Sequence, residues 1–412
     1  MNTSDLFAIA LNLPSPWVIS KVEFKPDSAG SMELHINLSF PRGSKFICPV
    51  CGAELSAYDT TPRVWRHLNF FQYKTYLHAD LPRVKCEEHG VKTVAVPWAR
   101  EGSGFTLLFE GWVVELAKHL PVATIAEMVR EHDTRLWRFI KHYVDDARAA
   151  EDYSNVSNIG IDETSKKGHN YVTVVADLDE RKVIYATDGK DSTTVDRFVT
   201  DFKAHDGQPK AIEVVTCDMS LGFKKGITTH FTNSHTVIDK FHVIKHINEA
   251  LDKVRRDEAT STPYNRFLLK KTKYIWLKND GNLTDRQRER KETLLHKRLK
   301  TGRAYAMKIT LQEIYEQAAT RDEANTMLKK LCSWMKRSRL MPMKEFAQLL
   351  ENHWQEILNY FDHRYTNAIL EGLNSIIQNI KRRARGFRND EYFKTMIYLV
   401  CGKLNLAHEP VC

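Results

Sequence analysis

No stretch of this chain approaches the roughly 18 to 20 consecutive apolar residues that a membrane helix needs. Its N-terminus also lacks the basic-then-apolar layout of a secretory signal. Both absences lead us to expect a cytoplasmic protein without a membrane partner. Acidic charge is in the minority: 52 Asp+Glu stand against 61 Lys+Arg, a formal net charge of +9. That balance favours a polyanionic partner without identifying one. Cysteine is sparse and odd in number, seven in 412 residues with three near the N-terminus, which suits metal binding better than a disulfide framework. What remains is the composition of a folded protein, 42% hydrophobic and 27% charged, so wholesale disorder is excluded.

Along the chain, Leu6 to Leu13 and Leu34 to Phe40 are apolar runs, and the second alternates as a strand does. Cys48-Pro-Val-Cys51-Gly52 is a knuckle whose two sulfurs can share an ion, the glycine permitting the tight turn. Cys86-Glu-Glu-His89-Gly90 repeats that spacing, and Trp65 to Leu81 between them reads as hairpin-like strands. The two pairs complete a Cys3His set, expected to hold a structural Zn²⁺ as in a zinc ribbon. The alternative is a surface histidine and a buried thiol. After Pro121, a short helix from Val122 to Arg130, a turn at Glu131-His-Asp133 and a helix from Thr134 to Tyr143 form a helix-turn-helix pattern, with Asp133 as N-cap. Arg135, Arg138 and Lys141 on its open side are candidate DNA contacts. The turn has no glycine, and an ordinary helical hairpin is an equal alternative.

From Asn155 the pattern becomes mixed α/β. Val156 to Asp162 and Ala211 to Asp218 are strands ending in an acid, Tyr171 to Leu178 and Lys182 to Ala186 form a hairpin, and Thr236 to Val243 is a further strand or its exit. From Asp257 to about Tyr360 the chain is helical and basic, with Tyr274, Trp276, Tyr305 and Trp334 interleaved. This suits either a solvated face or a surface that tracks a nucleic-acid backbone. Thr366 to Arg388 then forms a helix that sets Asn367, Glu371, Asn374, Gln378, Arg382 and Arg385 on one side and Ile369, Leu373, Ile376 and Ile380 on another. Gly386 is expected at the left-handed position that ends it.

Three carboxylates, Asp162, Asp218 and Glu371, repel one another in one cleft unless cations neutralise them, and hard oxygen ligands select Mg²⁺ or Mn²⁺. A pair of such ions supports phosphodiester chemistry. Spacing alone singles out no triple, because 52 acids offer many, neighbouring Glu163 among them.

The chain resembles the ISL3 family of bacterial insertion-sequence transposases. The resemblance rests on Gly160-Ile-Asp-Glu-Thr164, Thr216-Cys-Asp-Met-Ser220, Asp239-Lys-Phe-His-Val243 continuing to Asn248 and Val254-Arg-Arg256, and above all on Thr366-Asn-Ala through Glu371-Gly-Leu-Asn374 to Gly386-Phe-Arg-Asn389. It extends over the cysteine module and the helix-turn-helix, essentially the whole chain past residue 40. It implies an α/β, ribonuclease H-like catalytic domain (151–256 and 361–412) with an all-α insertion (257–360), preceded by a zinc-binding module (1–100) and a helix-turn-helix segment (101–150). It makes Asp162, Asp218 and Glu371 a DDE triad for Mg²⁺ or Mn²⁺, and Asp239 and His242 an assisting D-x-x-H pair. Position 89 is one departure, holding histidine where the resemblance leads us to expect cysteine. Asn374 and Arg382 are placed to orient Glu371 or hold a phosphate, and Arg382 and Arg385 are candidate DNA contacts. The function implied is metal-dependent cleavage at terminal inverted repeats and strand transfer to target DNA, by subunits assembled on DNA at the bacterial nucleoid. The rival is a DNA-binding regulator that no longer cuts.

Overall fold

The computed structural model describes residues 3–167, 170–219, 221–365 and 368–406. Ser220, Thr366 and Asn367 of the motifs above lie outside the described residues. The chain forms two compact units, one of Met1–Ala149, Ile380–Val400 and Leu404–Cys412, the other of Ala150–Asn379 and Cys401–Lys403.

In the first unit α1 (Thr3–Ala10) precedes β1 (Val18–Pro26), β2 (Met32–Ser39), β3 (Lys45–Ile47), β4 (Glu54–Phe70), β5 (Tyr73–Cys86) and β6 (Gly90–Thr93). The strands make one sheet in the order β1-β2-β5-β4-β3, with β6 on β5. Alternation decides which face is covered: Leu34, Ile36 and Leu38 of β2 and Leu77, Ala79 and Leu81 of β5 join Trp17, Trp65 and Trp98 in the core. Three helices follow, α2 (Leu107–His119), α3 (Val122–Val129) and α4 (Asp133–Ala149). Asp133 belongs to the first turn of α4 rather than standing before it as a cap. The missing glycine is replaced by Arg130, which takes the left-handed conformation itself (φ 55°) at the end of α3.

Arg66 stitches sheet to helices. Its backbone N–H donates to Gly104 at 2.9 Å and its carbonyl accepts from Thr106 at 3.0 Å. Its guanidinium, 2% exposed, donates to the carbonyls of Val129 and Thr75 and faces Glu131 at 3.4 Å. Its Nε makes no hydrogen bond and is compensated by the charge of Glu131 alone, and through these contacts the cysteine-bearing sheet is joined to α3 and the turn after it.

The second unit is built on a five-stranded sheet of β7 (Asn158–Lys167), β8 (Asn170–Asp177), β9 (Lys182–Asp188), β10 (Val214–Cys217) and β11 (His235–Ile238). Its order is β11-β10-β7-β8-β9. β7, β8 and β9 pair antiparallel, while β10 runs parallel to both β7 and β11. α5 (Ser192–Ala204) and α6 (Leu221–His230) share one apolar core with this sheet, through Val195, Phe198, Phe202, Phe223 and Ile227. A second core joins Val237 and Ile238 to the helices α7 (Lys240–Ser261), α8 (Pro263–Leu269), α9 (Lys273–Leu277), α10 (Asp285–Leu295), α11 (Lys300–Gln317), α12 (Arg321–Arg337), α13 (Met341–Asn352) and α14 (Trp354–His363). On α14, Asn359 donates to the Thr236 carbonyl of edge strand β11 at 2.8 Å. Trp276 and Tyr305, which the sequence reading interleaves with surface cations, are core residues at 0% and 6% exposure; Tyr274 and Trp334 are exposed.

α15 (Ala368–Arg383) carries Glu371, and α16 (Asp390–Cys401) ends the described helices. The buried seam of α15 is Leu370, Leu373, Ile377 and Ile380, whereas Ile376 is 43% exposed; the helix is therefore rotated from the face expected. Its end also differs. Arg385 (φ 55°) occupies the first left-handed position and Gly386 (φ 92°) the next, with Gly386 N–H donating to Lys381 and Arg385 N–H to Arg382. Residues 380–400, which the resemblance groups with the catalytic segment, cluster with the first unit, where Tyr392 stacks on Trp137 of α4 at 4.2 Å.

Candidate functional site

Two clusters of chemistry-bearing side chains stand out, one in each unit. In the first, Cys48, Cys51, Cys86 and His89 bring one ligand atom each to within 4.8 Å of all the others, the one such group among the described residues. Cys51 Sγ lies 3.7 Å from Cys86 Sγ, and Cys86 Sγ lies 3.5 Å from His89 Nδ1. Tetrahedral Zn²⁺ with Zn–S of about 2.3 Å sets sulfurs about 3.8 Å apart, so the donors fit that ion. Each knuckle turns on a left-handed glycine after its second ligand, Gly52 (φ 75°) and Gly90 (φ 68°). The N–H groups of Cys51 and Val50 hold the Cys48 thiol below its usual range, toward the thiolate that binds metal. His89 brings its ring nitrogen into the same cluster, so the departure from cysteine leaves four potential ligand atoms together.

In the second unit, Asp162 lies inside β7 and not at its end, paired across to Val174. Asp218 follows β10 directly, Asp239 caps the start of α7 and His242 sits in its first turn, on a helix where a strand exit was expected. Asp162 is 8% exposed and Asp239 3%. Burial pushes the Asp162 carboxyl up to about 7, and the charges of Asp218, Glu163 and Asp239 push the same way against the Glu163 N–H. Burial and then Asp239 raise Glu371, although Glu371 lies on an exposed part of α15. Burial lowers His242, opposed by Asp218 and Asp239. Asp239 thus bears on Asp162, His242 and Glu371 alike.

Both oxygens of Asp162 are held. Glu163 N–H donates to Oδ1 at 2.8 Å and Asn374 Nδ2 donates to Oδ2 at 2.8 Å. One turn on, Gln378 Nε2 donates to Thr164 Oγ1 at 2.6 Å and to the Ser165 carbonyl at 3.1 Å. Asn374 therefore serves Asp162, not its helical neighbour Glu371. The approach of α15 to β7 depends on Gly160: a Cβ there would lie 2.5 Å from Leu370 Cδ1 and 2.9 Å from both Leu178 Cδ2 and Thr216 Oγ1. Lys190 and Lys245, absent from the sequence reading, oppose the rise that burial imposes on Glu163. No sequence signal marks either one, because only the fold brings them to the acids.

The candidate DNA contacts are less uniform. Arg135 pairs with Glu131 and lies 4.4 Å over the Phe105 ring; Lys141 pairs with Asp145 at 2.7 Å. Arg138 is exposed and makes no ion pair with a described residue. Arg382 and Arg385 are exposed at the end of α15, while Arg383 between them donates to the His119 carbonyl.

A buried carboxylate held at both oxygens on a mixed sheet, in a chain that also carries a Cys3His cluster, fits the class of metal-dependent DNA-processing enzymes. The chain matches the transposase model of the DDE type in the ISL3 family over residues 159–397. It matches the helix-turn-helix domain of transposase family ISL3 over 94–144, and the zinc finger of the transposases of IS204, IS1001, IS1096 and IS1165 over 44–89. It is 28% identical over 424 residues to the transposase for insertion sequence element IS1557 of Mycobacterium tuberculosis, spanning 95% of this chain and 94% of that one. It is 27% identical over 392 residues to the transposase for IS1001 of Bordetella parapertussis, spanning 91% and 93%. The chain belongs to the ISL3 family of transposases. It is a DNA-binding, DNA-cleaving and strand-transferring enzyme with a structural zinc ribbon, and its DDE domain implies a divalent metal. Among the described residues no helix is long and apolar enough to cross a membrane.

Proposed function

We propose that Asp162, Asp218 and Glu371 are the reacting triad of a ribonuclease H-like domain. In this reading the four segments 1–100, 101–150, 151–256 with 361–412, and 257–360 are its functional domains, and the first two read the terminal inverted repeats. The observation that carries the proposal is the burial of Asp162 among other carboxylates. A carboxylate 8% exposed, pushed up to about 7 by its burial and by Asp218, Glu163 and Asp239 beside it, is fully ionised near neutral pH only when a counter-cation joins it. All-oxygen donors suit Mg²⁺ or Mn²⁺. When bound, such ions make a water or a 3′-hydroxyl a better nucleophile and stabilise the leaving oxygen of an in-line displacement.

The chain's own residues do the rest. Asn374 and the Glu163 N–H fix the Asp162 carboxylate, so no rotamer search precedes the reaction. His242, held neutral by burial, is placed to accept or return a proton, with Asp239 as its neighbour. Arg138, Arg382 and Arg385 offer their charge to phosphates, which position DNA without reading it. Cleavage frees the 3′-hydroxyls of the element, which then attack target phosphodiesters directly, with no covalent protein intermediate. Two ends must be held together, so a homo-oligomer assembled on DNA at the nucleoid is part of the proposal.

The test is Mg²⁺-dependent processing of a duplex carrying one terminal repeat. We expect the wild type to cleave and join, and Asp162→Asn, Asp218→Asn and Glu371→Gln to bind the duplex normally while losing both steps. Variants that still join would overturn the assignment. Wild-type cleavage without joining would indicate a plain nuclease.

A further inference from the structure

A groove beside the acids is not used by anything described above. Asp239 starts α7 and His242 follows in its first turn, but Phe241 between them points elsewhere and is 54% exposed. It stands on the rim of a groove of about 320 Å³, lined further by Lys245, Asn248, Arg256, Lys273 and Leu277. Positions 241, 245, 248 and 256 fall on one stripe of α7, and His242 lies beside that stripe, three residues before Lys245. The same helix carries Asp239 at its N-cap and His242 in its first turn, so the groove along α7 borders the acidic site.

The groove's charge is positive where it is free. Of its acids, Asp252 is held by Arg255 and Arg256 and Glu249 pairs with His246. Lys245 and Lys273 make no ion pair with a described residue. An exposed aromatic face between unpaired cations suits a nucleic-acid strand, the ring taking a base and the cations its phosphates. Continuity with the acids says which strand. A phosphate attacked in the acidic site has its flanking nucleotides within reach of α7, and a base beside the cut leaves its stack most readily where a ring can receive it.

We propose that this groove binds the DNA strand flanking the scissile phosphate, with one base turned out of the duplex onto Phe241 and Lys245 and Lys273 on adjacent phosphates. The proposal rests on the reading of Asp162, Asp218 and Glu371 as the reacting site.

The experiment uses full-length protein and end-bearing duplexes with 2-aminopurine placed in turn at each position flanking the cut, with Ca²⁺ present to support binding. One position is expected to brighten with the wild type and with Asp162→Asn, and to stay dark with Phe241→Ala. In Mg²⁺, Phe241→Ala is expected to cleave a fully paired duplex about 5- to 150-fold more slowly, the span of one base–aromatic stack. Phe241→Tyr, or a mismatch that leaves that base unpaired, is expected to restore most of the rate. Lys273→Ala is expected to reduce the salt slope of binding by about 1.

Equal rates for Phe241→Ala and wild type on paired DNA, or an equal deficit on paired and mismatched DNA, would overturn the proposal. A change in subunit association with the fluorescence unaltered would show that the groove seats a second copy instead. Cleavage by Asp162→Asn would sink the triad assignment alone, since the fluorescence reports on the groove without it.

Discussion

The zinc knuckle and the acidic site both gather chemistry-bearing side chains, and they do it in opposite ways. The knuckle joins residues such as Cys51 and Cys86, 35 positions apart, on one sheet, and its four ligand atoms already converge within 4.8 Å. The acidic site joins Asp162 to a helix 212 positions later through Asn374, and its carboxylates do not form such a group among the described residues. Thiols and imidazole can stand side by side without like charges, whereas ionised carboxylates repel until a cation arrives. The knuckle should therefore hold its part of the fold together, and the acidic site should strain the fold that holds it.

The strongest way to break that comparison is Cys86→Ser. Loss of a central zinc ligand is expected to release the ion and unfold the knuckle, because structural zinc supplies about 10 kcal/mol or more to small modules. Zinc content and a thermal melt check this. Glu371→Gln should leave the melt close to wild type.

Next in size is pH. The Asp162 carboxyl sits at about 7 against the 3.8 of a free aspartate, so the folded state holds its proton more tightly than the unfolded chain does. The stability tied to that proton is complete below about pH 4 and is lost as pH rises through 7, by about 1.4 kcal/mol per pH unit. Chemical denaturation of metal-free protein across that window should show the decline in wild type and a shallower one in Asp162→Asn. Mn²⁺ affinity should rise over the same window, since the ion requires the carboxylate.

Smaller still is Asn374→Ala, which removes one of the two hydrogen bonds fixing Asp162. A bond to a charged group is worth about 1.5–3 kcal/mol, so kcat should fall about 10- to 150-fold with end binding unchanged. An unaltered kcat would separate Asn374 from the reaction. His89→Cys should have the least effect. Sulfur replaces nitrogen as a zinc ligand at nearly the same distance, and the melting temperature should stay within a few degrees, as a change of about 1 kcal/mol or less implies.

The same contrast explains what was legible in the sequence. Cys48-Pro-Val-Cys51-Gly52 and Cys86-Glu-Glu-His89-Gly90 carry their geometry in their spacing, because a two-residue turn and a left-handed glycine are local properties. The acid-bearing elements were also visible as strands and a helix, yet their relations were not. Helical periodicity put Asn374 beside Glu371, while the missing Cβ of Gly160 lets Leu370 seat deeply and turns the amide to Asp162. Ile376, expected in the seam, is exposed, and Ile377 takes its place. Trp276 and Tyr305 looked like surface aromatics among cations, and burial in the core of the helical insertion is a tertiary fact that charge interleaving does not report. Arg66 gave no sign of its role, since a lone arginine in a strand is most often solvated.

The central claim is that Asp162, Asp218 and Glu371 hold divalent ions in common, and iron-mediated cleavage of the protein itself tests it most directly. With Fe²⁺ in place of Mg²⁺, ascorbate and peroxide generate radicals that cut the backbone next to the bound ion. The account predicts cuts around all three residues, each suppressed by excess Mg²⁺ and by Asp162→Asn. Cuts near Asp162 and Asp218 that spare the segment around Glu371 would contradict it.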